Sequence, residues 1–587
     1  MANRHSKRKK KEQGQSNLTM TMENTIFIDY ILGTKGIYYR SLLIVISMVV
    51  YTLFLRKKLK ISIVLGAPVS YFIALIFPVT LTLPAYVILW LAYHILKILF
   101  KTIRSTKVER PLKFKEGDFQ FRIDNKTILL ENLYRGIYIQ GGAGSGKSAS
   151  LVYPLLQQAV VQHFSGICYD FKSPGLSSFL FTQMDKFQSG IKPFFVDFKD
   201  AKRSARVNPL EPDLMTKTAY AHEYAQTLMY NLSPNNIKNE DYWVMEAKSV
   251  LTGLIWYLKL EYPHYCTVPH LISLVLHSDI GELVKKVSGN FEATGYLASL
   301  HQAIKSESSR QVSGVVSTLQ TNLAKLNTPD IFWVLSGNDF DLDINSPSNP
   351  KFVCIGNETT LSQTYAPVIS LILSVALKQM NQPNKHKSMV LVDELPTLYI
   401  NKLEQTPATA RSNKVATILA CQDFSQLVDR YGRDKAQVIL SNMGNQFFGR
   451  TVNKDTAQMV SQLFGKADRT FKTTNHGDNY YQSSIFGKHT NSLNKSINET
   501  VQERDRVKIT DIMNLQPGEF YGFIAEGNEQ EILKSKFQIN QEFWTDSFDF
   551  TIMATETDIQ ENYCRIIGES KSILEPPKNK GNNLLNF

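Results

Sequence analysis

The sequence predicts an α/β protein built on a mostly parallel central sheet and preceded by a membrane region. Three observations carry that reading: an apolar stretch over residues 37–100, short buried-type strands alternating with helical patterns from about residue 110 onward, and a Gly-rich loop between one such strand and a helix. With 587 residues the chain has room for about four units of roughly 150 residues each. Its 43% apolar and 20% charged residues are those of a folded protein, which excludes a disordered or collagen-like chain. Lysine and arginine number 65 against 53 aspartate and glutamate, a net +12, and Arg4, Lys7, Arg8, Lys9, Lys10 and Lys11 are concentrated at the very start. The remainder is only mildly basic. The cysteines (Cys168, Cys266, Cys354, Cys421 and Cys564) form no CxxC pair and have no histidine pair beside them, so neither a zinc site nor a disulfide framework is expected.

Residues 1–36 read as a basic N-terminal tail solvated near anionic headgroups, with a nucleic-acid-binding arm as the sharper alternative. Over residues 37–55 only Arg40 is charged, and the run then meets Arg56, Lys57, Lys58 and Lys60, the pattern of a membrane span. Residues 61–96 contain no Asp, Glu, Lys or Arg, a stretch well beyond the ~20 residues that one crossing needs. Pro78 and Pro84 fall midway. They divide it into two crossings, or into one crossing and a re-entrant piece, so the region 37–100 carries two to four spans. A Lys or Arg at the centre of a span costs roughly 2.5–3.5 kcal/mol, and the stretch avoids both. An even number of spans keeps the basic tail and the large C-terminal part in the cytoplasm. No cleaved signal peptide is read, since no small-residue cleavage site follows a short apolar core.

After Arg110 the chain reads as a soluble α/β domain, assigned to residues 108–210 and 345–545. Strand-like runs occur at 137–140, 166–170, 194–196, 352–355, 389–392, 417–420 and 446–448, each too short for a helix and several separated by helical patterns. Residues 211–344 lose the strand pattern and turn helical, as over 241–260, which reads as an inserted all-α domain. Residues 468–500 are rich in Asn, Ser, Thr and Gly and predict a long loop or hairpin outside the core. Residues 546–587 are expected to form a partly disordered tail.

The most specific motif is GGAGSGKS at 141–148, a full match to G-x-x-x-x-G-K-[ST]. The strand RGIYIQ leads in and the apolar helix ASLVYPLLQQAVVQ leads out, as a phosphate-binding loop requires. Gly141, Gly142, Ala143, Gly144, Ser145, Gly146, Lys147, Ser148 and Ala149 form the expected binding set. Backbone N–H groups there can close around a β-phosphate, Lys147 can reach the β- and γ-phosphates, and the Ser148 hydroxyl can ligate Mg²⁺. The helix N-terminus adds its dipole. Residues 389–394, MVLVDE, supply the opposite wall: a buried strand ends in Asp393, which can hold Mg²⁺ through water, and in Glu394, which can act as general base toward a lytic water.

The phosphate loop and the acidic strand lie far apart in sequence, with the helical insertion between them. In that order the chain resembles the conjugative coupling proteins of type IV secretion systems, membrane-anchored hexameric DNA translocases of the TraG/TraD type. GICYDFKSPG at 166–175, VNPL at 207–210 and DYWVMEAKSVL at 241–251 resemble family elements, and the match is longest over 389–465, from LVDELPTL through ACQDFSQLVDRYG to MVSQLFG. The resemblance covers roughly residues 110–540. It implies a RecA-like P-loop NTPase fold, ATP and Mg²⁺ as cofactors, and a homo-hexamer in the bacterial inner membrane, multi-pass with the ATPase domain in the cytoplasm. It implies that Gln422 senses the γ-phosphate and that Arg411 is an arginine finger reaching a neighbouring subunit's nucleotide, with Arg450 as the competing candidate. It also implies single-stranded DNA, relaxase proteins and type IV secretion channel proteins as partners. A receptor that delivers effector proteins to the channel is the alternative, and a nucleotide-gated scaffold stands behind both. Many members carry a small extracytoplasmic domain between two membrane helices. Here the loops of the hydrophobic region are short, so none is expected. The soluble part has no basic stripe, so phosphate contacts would come from a few residues repeated around a ring, with Lys305, Arg310 and Lys325 as possible contributors.

Overall fold

The computed structural model describes residues 117–124, 126–479, 492–538 and 548–575. These belong to one compact unit, Phe114–Phe587. The basic tail and the predicted spans lie outside the described residues. Among those described, the stretch Thr359–Met380 is long and apolar enough to cross a membrane, but 72% of it is buried inside the protein as a core helix.

A hairpin of β1 (Phe119–Ile123) and β2 (Lys126–Leu130) precedes β3 (Ile137–Gln140). A π-type turn over Ser148–Val152 opens α1 (Tyr153–Val161), followed by β4 (Ser165–Asp170), α2 (Gly175–Lys186) and β5 (Lys192–Asp197). Only helices follow until β6: α3 (Thr218–Leu232), α4 (Tyr242–Glu261), α5 (Val268–His277), α6 (Ile280–Val287), α7 (Phe291–Tyr296), α8 (Ala298–Lys305), α9 (Ser309–Leu323) and α10 (Pro329–Val334). Then come β6 (Lys351–Gly356), α11 (Ser362–Met380), β7 (Ser388–Val392), α12 (Thr406–Ala410), β8 (Val415–Cys421), α13 (Phe424–Tyr431), α14 (Arg433–Asn442) and β9 (Asn445–Phe448). The chain closes with α15 (Lys454–Leu463), β10 (Lys466–Asn479), β11 (Ser492–Asp505), α16 (Ile509–Met513), β12 (Glu519–Phe523), β13 (Glu531–Lys536) and α17 (Glu556–Leu574).

The main sheet has nine strands in the order β13-β12-β9-β3-β8-β7-β4-β6-β5. From β9 to β5 every pairing is parallel, and β12 and β13 add an antiparallel edge. The period-two rule places successive side chains on opposite faces. Ile137, Ile139, Met389, Leu391, Ile418 and Ala420 enter the core shared with α1 and α2, while Tyr138, Val390, Val392 and Leu419 enter the core shared with α11 and the inserted helices. Both faces are covered, so these strands are apolar at nearly every position.

Each strand-like run read from the sequence falls within one of β3 to β9. Two regions differ from expectation or sharpen it. The Asn/Ser/Thr-rich stretch is a long antiparallel hairpin, β10 on β11, in register from Lys466 opposite Asp505 to Asn479 opposite Ser492. The stretch expected to be a tail holds α17, started by a capping box between Thr555 and Asp558 and burying Ile559, Ile566 and Ile573 against the side that carries α5 and α10. Those three isoleucines recur every seven residues in a polar background, a helical stripe that a reading by composition passes over.

Candidate functional site

Strand β3 lies between β8 and β9, which come much later in the chain, so its carboxyl end opens at the point where strand order reverses. Crevices at such switch points hold ligands in open parallel sheets. Every residue of β3 is buried, which fixes the start of the loop that leaves it. The loop is held by backbone bonds from three directions. Gly141 N donates to Cys421 O (3.2 Å) at the end of β8, Gly142 N to Arg450 O (2.7 Å) beyond β9, and Gly518 N, just before β12, to Ser145 O (2.9 Å). Gly144 and Gly146 take φ of +75° and +91°, conformations that glycine adopts without strain. A Cβ on Gly146 would meet Gly518 N at 2.7 Å and one on Gly141 would meet Ser145 Oγ at 2.5 Å. Lys147 Nζ bends back onto the carbonyl of Gly141, and Ser148 opens the helix.

The neighbouring strand ends bring the acids to the same mouth. Asp393 N donates to Tyr169 O (3.3 Å), so Asp393 and Asp170 end adjacent parallel strands. Burial raises the pKa of Asp393, against the pull of Lys147 and Lys172. Glu394 is buried, and its Oε1 accepts from Gln422 N (3.1 Å). Burial raises its pKa as well, while Lys147 and both the backbone and the side chain of Gln422 draw it down. The loop after Glu394 is pinned: Thr397 Oγ1 donates to Glu394 O (2.6 Å) and shares a bond with the Tyr169 hydroxyl (3.1 Å). Lys147, Asp393, Glu394 and Gln422, scattered over the sequence, therefore meet in one place.

The two arginines do not. Arg450 is exposed and follows β9 beside the loop, its own carbonyl bonded to Gly142. Arg411 precedes β8, at the end of the sheet away from the loop, where Nη2 pairs with Glu526 Oε1 at 3.4 Å and Arg135 joins the same carboxylate. The lysine and arginine candidates on the inserted helices, Lys305, Arg310 and Lys325, are all exposed, and Lys325 Nζ donates to Leu232 O (3.1 Å).

Asp170 is a site residue that the motif search passed over. Its side chain is 1% exposed, Oδ2 accepts from Ser177 N and Oγ (2.9 Å each), and Oδ1 has no hydrogen-bond partner. Burial pushes its pKa up to about 7, with Asp393 adding to the rise and Ser177 opposing it. An apolar strand ending in Asp, with Lys172 two residues on, was the signal available. It is the same signal that marked Asp393.

The donor set suits a phosphate with a hard cation. Among the described residues the amides of Gly144, Gly146 and Lys147 have no backbone acceptor, and Ser145 Oγ is buried without a partner. Fold and loop together define a phosphate-loop α/β protein with a sheet of the RecA-like kind. The family model described as type IV secretory system conjugative DNA transfer matches residues 98–519, and the chain belongs to that family. Among solved structures it is similar to the bacterial conjugative coupling protein TrwBdeltaN70 in its unbound monoclinic form, at 16% identity and a TM-score of 0.54, over 75% of this chain and 92% of that one. It is also similar to the plasmid coupling protein TrwB in complex with ADP and Mg²⁺, at 17% identity and a TM-score of 0.52, over 72% of this chain and 88% of that one. The complex of TrwB with the ATP analogue ADPNP aligns at 17% identity and a TM-score of 0.53, over 72% and 89%. At these identities the likeness is one of fold. No curated protein sequence matches the chain.

Proposed function

We propose that this protein is the coupling ATPase of a conjugative type IV secretion system. In this reading it is held in the bacterial inner membrane by its N-terminal region, works as a homo-hexamer, and hydrolyses ATP to pass single-stranded DNA with its relaxase to the transfer channel. The observation that supports it most is the meeting of Lys147, Asp393, Glu394 and Gln422 around one phosphate loop in a chain of the conjugative DNA transfer family. The solved TrwB complexes hold ADP with Mg²⁺ or ADPNP, which fits the donor set found here.

Bound Mg²⁺ and ATP supply the electrophilic phosphorus and neutralise its oxygens. Ser148 and Asp393 would hold the metal. Lys147 exchanges the Gly141 carbonyl for phosphate oxygens, and the loop amides cradle the rest. Glu394 takes a proton from water, a role that requires its ionised form; Lys147 and Gln422 favour that form against the cost of burial. Gln422, bonded to Glu394, reports the state of the γ-phosphate to β8. Arg411 serves a neighbouring subunit's site, while Arg450 stands beside the loop of its own chain.

The test is ATP turnover by the full-length protein in detergent, with and without single-stranded oligonucleotide, beside Lys147→Ala. Turnover that rises with DNA and vanishes in Lys147→Ala supports the DNA pump. Turnover indifferent to DNA in a verified hexamer moves the reading to effector-protein cargo. No turnover in that hexamer leaves a nucleotide-gated scaffold.

A further inference from the structure

A cavity of about 950 Å³ opens between the inserted helices and the carboxyl ends of β7 and β8. Its walls differ in origin. Glu394 and Gln422 stand on one side, Lys238 and Lys325 of the insertion on the other, and Arg430 of α13 also lines it. Two of these cations lack the partner that usually neutralises them. Lys325 Nζ donates to Leu232 O (3.1 Å) and Asn322 Oδ1 (3.2 Å), while Arg430 donates from Nε to Pro396 O (3.1 Å) and from Nη2 to Thr397 O (2.6 Å). Neither is salt-bridged to a carboxylate among the described residues. Lys238 has only Asp429, at 3.3 Å, an exposed carboxylate that also lines the cavity, in a pair that an incoming anion can displace at little cost. An ammonium held by neutral oxygens keeps its full charge to offer. Glu394 repels anions from its own end, so an anion is favoured on the insertion side.

Arg430 ties this cavity to the hydrolytic pair. The carbonyls it holds belong to the turn that follows Glu394, and the same turn is bonded through Thr397 Oγ1 to the Glu394 carbonyl. An anion seated in the cavity changes the charge that the guanidinium faces, and through the turn it holds, the aim of the general base.

We propose that this cavity is a second phosphate site, in which Lys325 and Lys238 seat a phosphate of single-stranded nucleic acid, and that Arg430 is the positioning residue that passes its occupancy to Glu394. The proposal rests on the reading of the chain as a DNA-stimulated ATPase. It places cargo sensing in the cleft beneath the insertion.

The experiment is fluorescence anisotropy of a labelled oligo-dT on the full-length protein in detergent, across a series of salt concentrations. Each phosphate contact on a single strand contributes about 0.7 to the slope of log affinity against log salt. Lys238→Gln/Lys325→Gln is expected to lower the slope by about 0.7, the share of the one phosphate the pair seats, and Lys238→Arg/Lys325→Arg to keep it. Should the glutamine pair fail to melt cooperatively, Lys238→Gln alone carries the same reading through a smaller drop in the same direction. Arg430→Lys is expected to keep the slope and the KM for ATP but to lose the rise in kcat on adding DNA. An unchanged slope in the glutamine variants overturns the site while leaving the ATPase reading intact. A rise in kcat that survives in Arg430→Lys overturns the link. Competition by millimolar inorganic phosphate that removes the lysine-dependent part of the slope assigns the cavity to free anions, and equal competition by poly-glutamate assigns it to acidic protein; either overturns the proposal. A wild-type protein that binds no oligonucleotide overturns both this site and the DNA-pump reading.

Discussion

Gly146 has no room for a side chain. Its φ of +91°, and the 2.7 Å that would separate Gly518 N from a Cβ at this position, mean that Gly146→Ala must strain the loop or push the segment before β12 away. Such strain costs about 1–3 kcal/mol, so a lowered melting temperature and a weakened fluorescent-ADP titration are expected together. Glu394→Gln keeps the shape and the bond from Gln422 but removes the base. Turnover should fall by about 10²–10⁴ while ADP binding persists, measured by steady-state assay and titration. Asp170 gives a pH signature. A carboxyl whose pKa is raised to about 7 gives stability that is fully present below the ordinary aspartate range and is lost as pH rises through about 7, because the unfolded chain releases that proton more readily. In buffer without nucleotide or Mg²⁺, the melting temperature of Asp170→Asn relative to wild type should therefore shift in favour of the variant from pH 5 to pH 8. Lys147, Asp393 and Glu394 could be read directly because each lies within a short run of neighbours with fixed chemistry. Asp170 ends a run of the same kind, and only the register of parallel strands sets it beside Asp393; Arg430 could not be read at all, since its meaning comes from a turn more than thirty residues away in the chain.

The buried strands were legible for a reason that belongs to the element. A strand covered on both faces is apolar throughout and announces itself even at four residues, as IYIQ and SMVLV do. The antiparallel edge was not. EFYGF has a glycine near its middle, and β13 alternates charges with a single buried residue, Ile532, so neither reads as core. The same logic hid α17, whose apolar stripe is narrow. Its removal is a direct test of what it does. Truncation after Ala554 takes away Ile559, Ile566 and Ile573, each worth about 1.5–3 kcal/mol of burial, together with the bond between Glu569 and the buried His270. The expected result is a drop in the melting temperature and new protease cuts within the inserted helices, read by limited proteolysis with mass mapping. An unaltered digest would show that the insertion stands without it.

At the scale of the proposed assembly, the role proposed for Arg411 at a neighbouring subunit's site makes a specific claim. Lys147→Ala and Arg411→Ala should each be inactive in a pure ring. In a mixed ring, a site with an intact Lys147 can meet an intact Arg411 from the other variant, so turnover should partly return on mixing and subunit exchange; Arg411 acting within its own chain predicts no recovery. The connectivity of the sheet also governs how such a chain comes off the ribosome. Ile137 pairs with Ile418 and Asn445, and the loop that follows β3 takes backbone bonds from the vicinity of Arg450 and Gly518. These contacts are among the most distant in sequence that the fold contains, and contacts of that kind form late and slowly. At about 5–20 residues per second, a nascent chain waits roughly 20–75 s between synthesis of Ser148 and of Gly518. Through that interval the phosphate loop lacks at least one of the backbone bonds that hold it, the one from Gly518, and a chain terminated before that residue never acquires it. The phosphate loop is therefore complete only when the polypeptide is almost whole, and on the proposed reading truncated chains are expected to be idle.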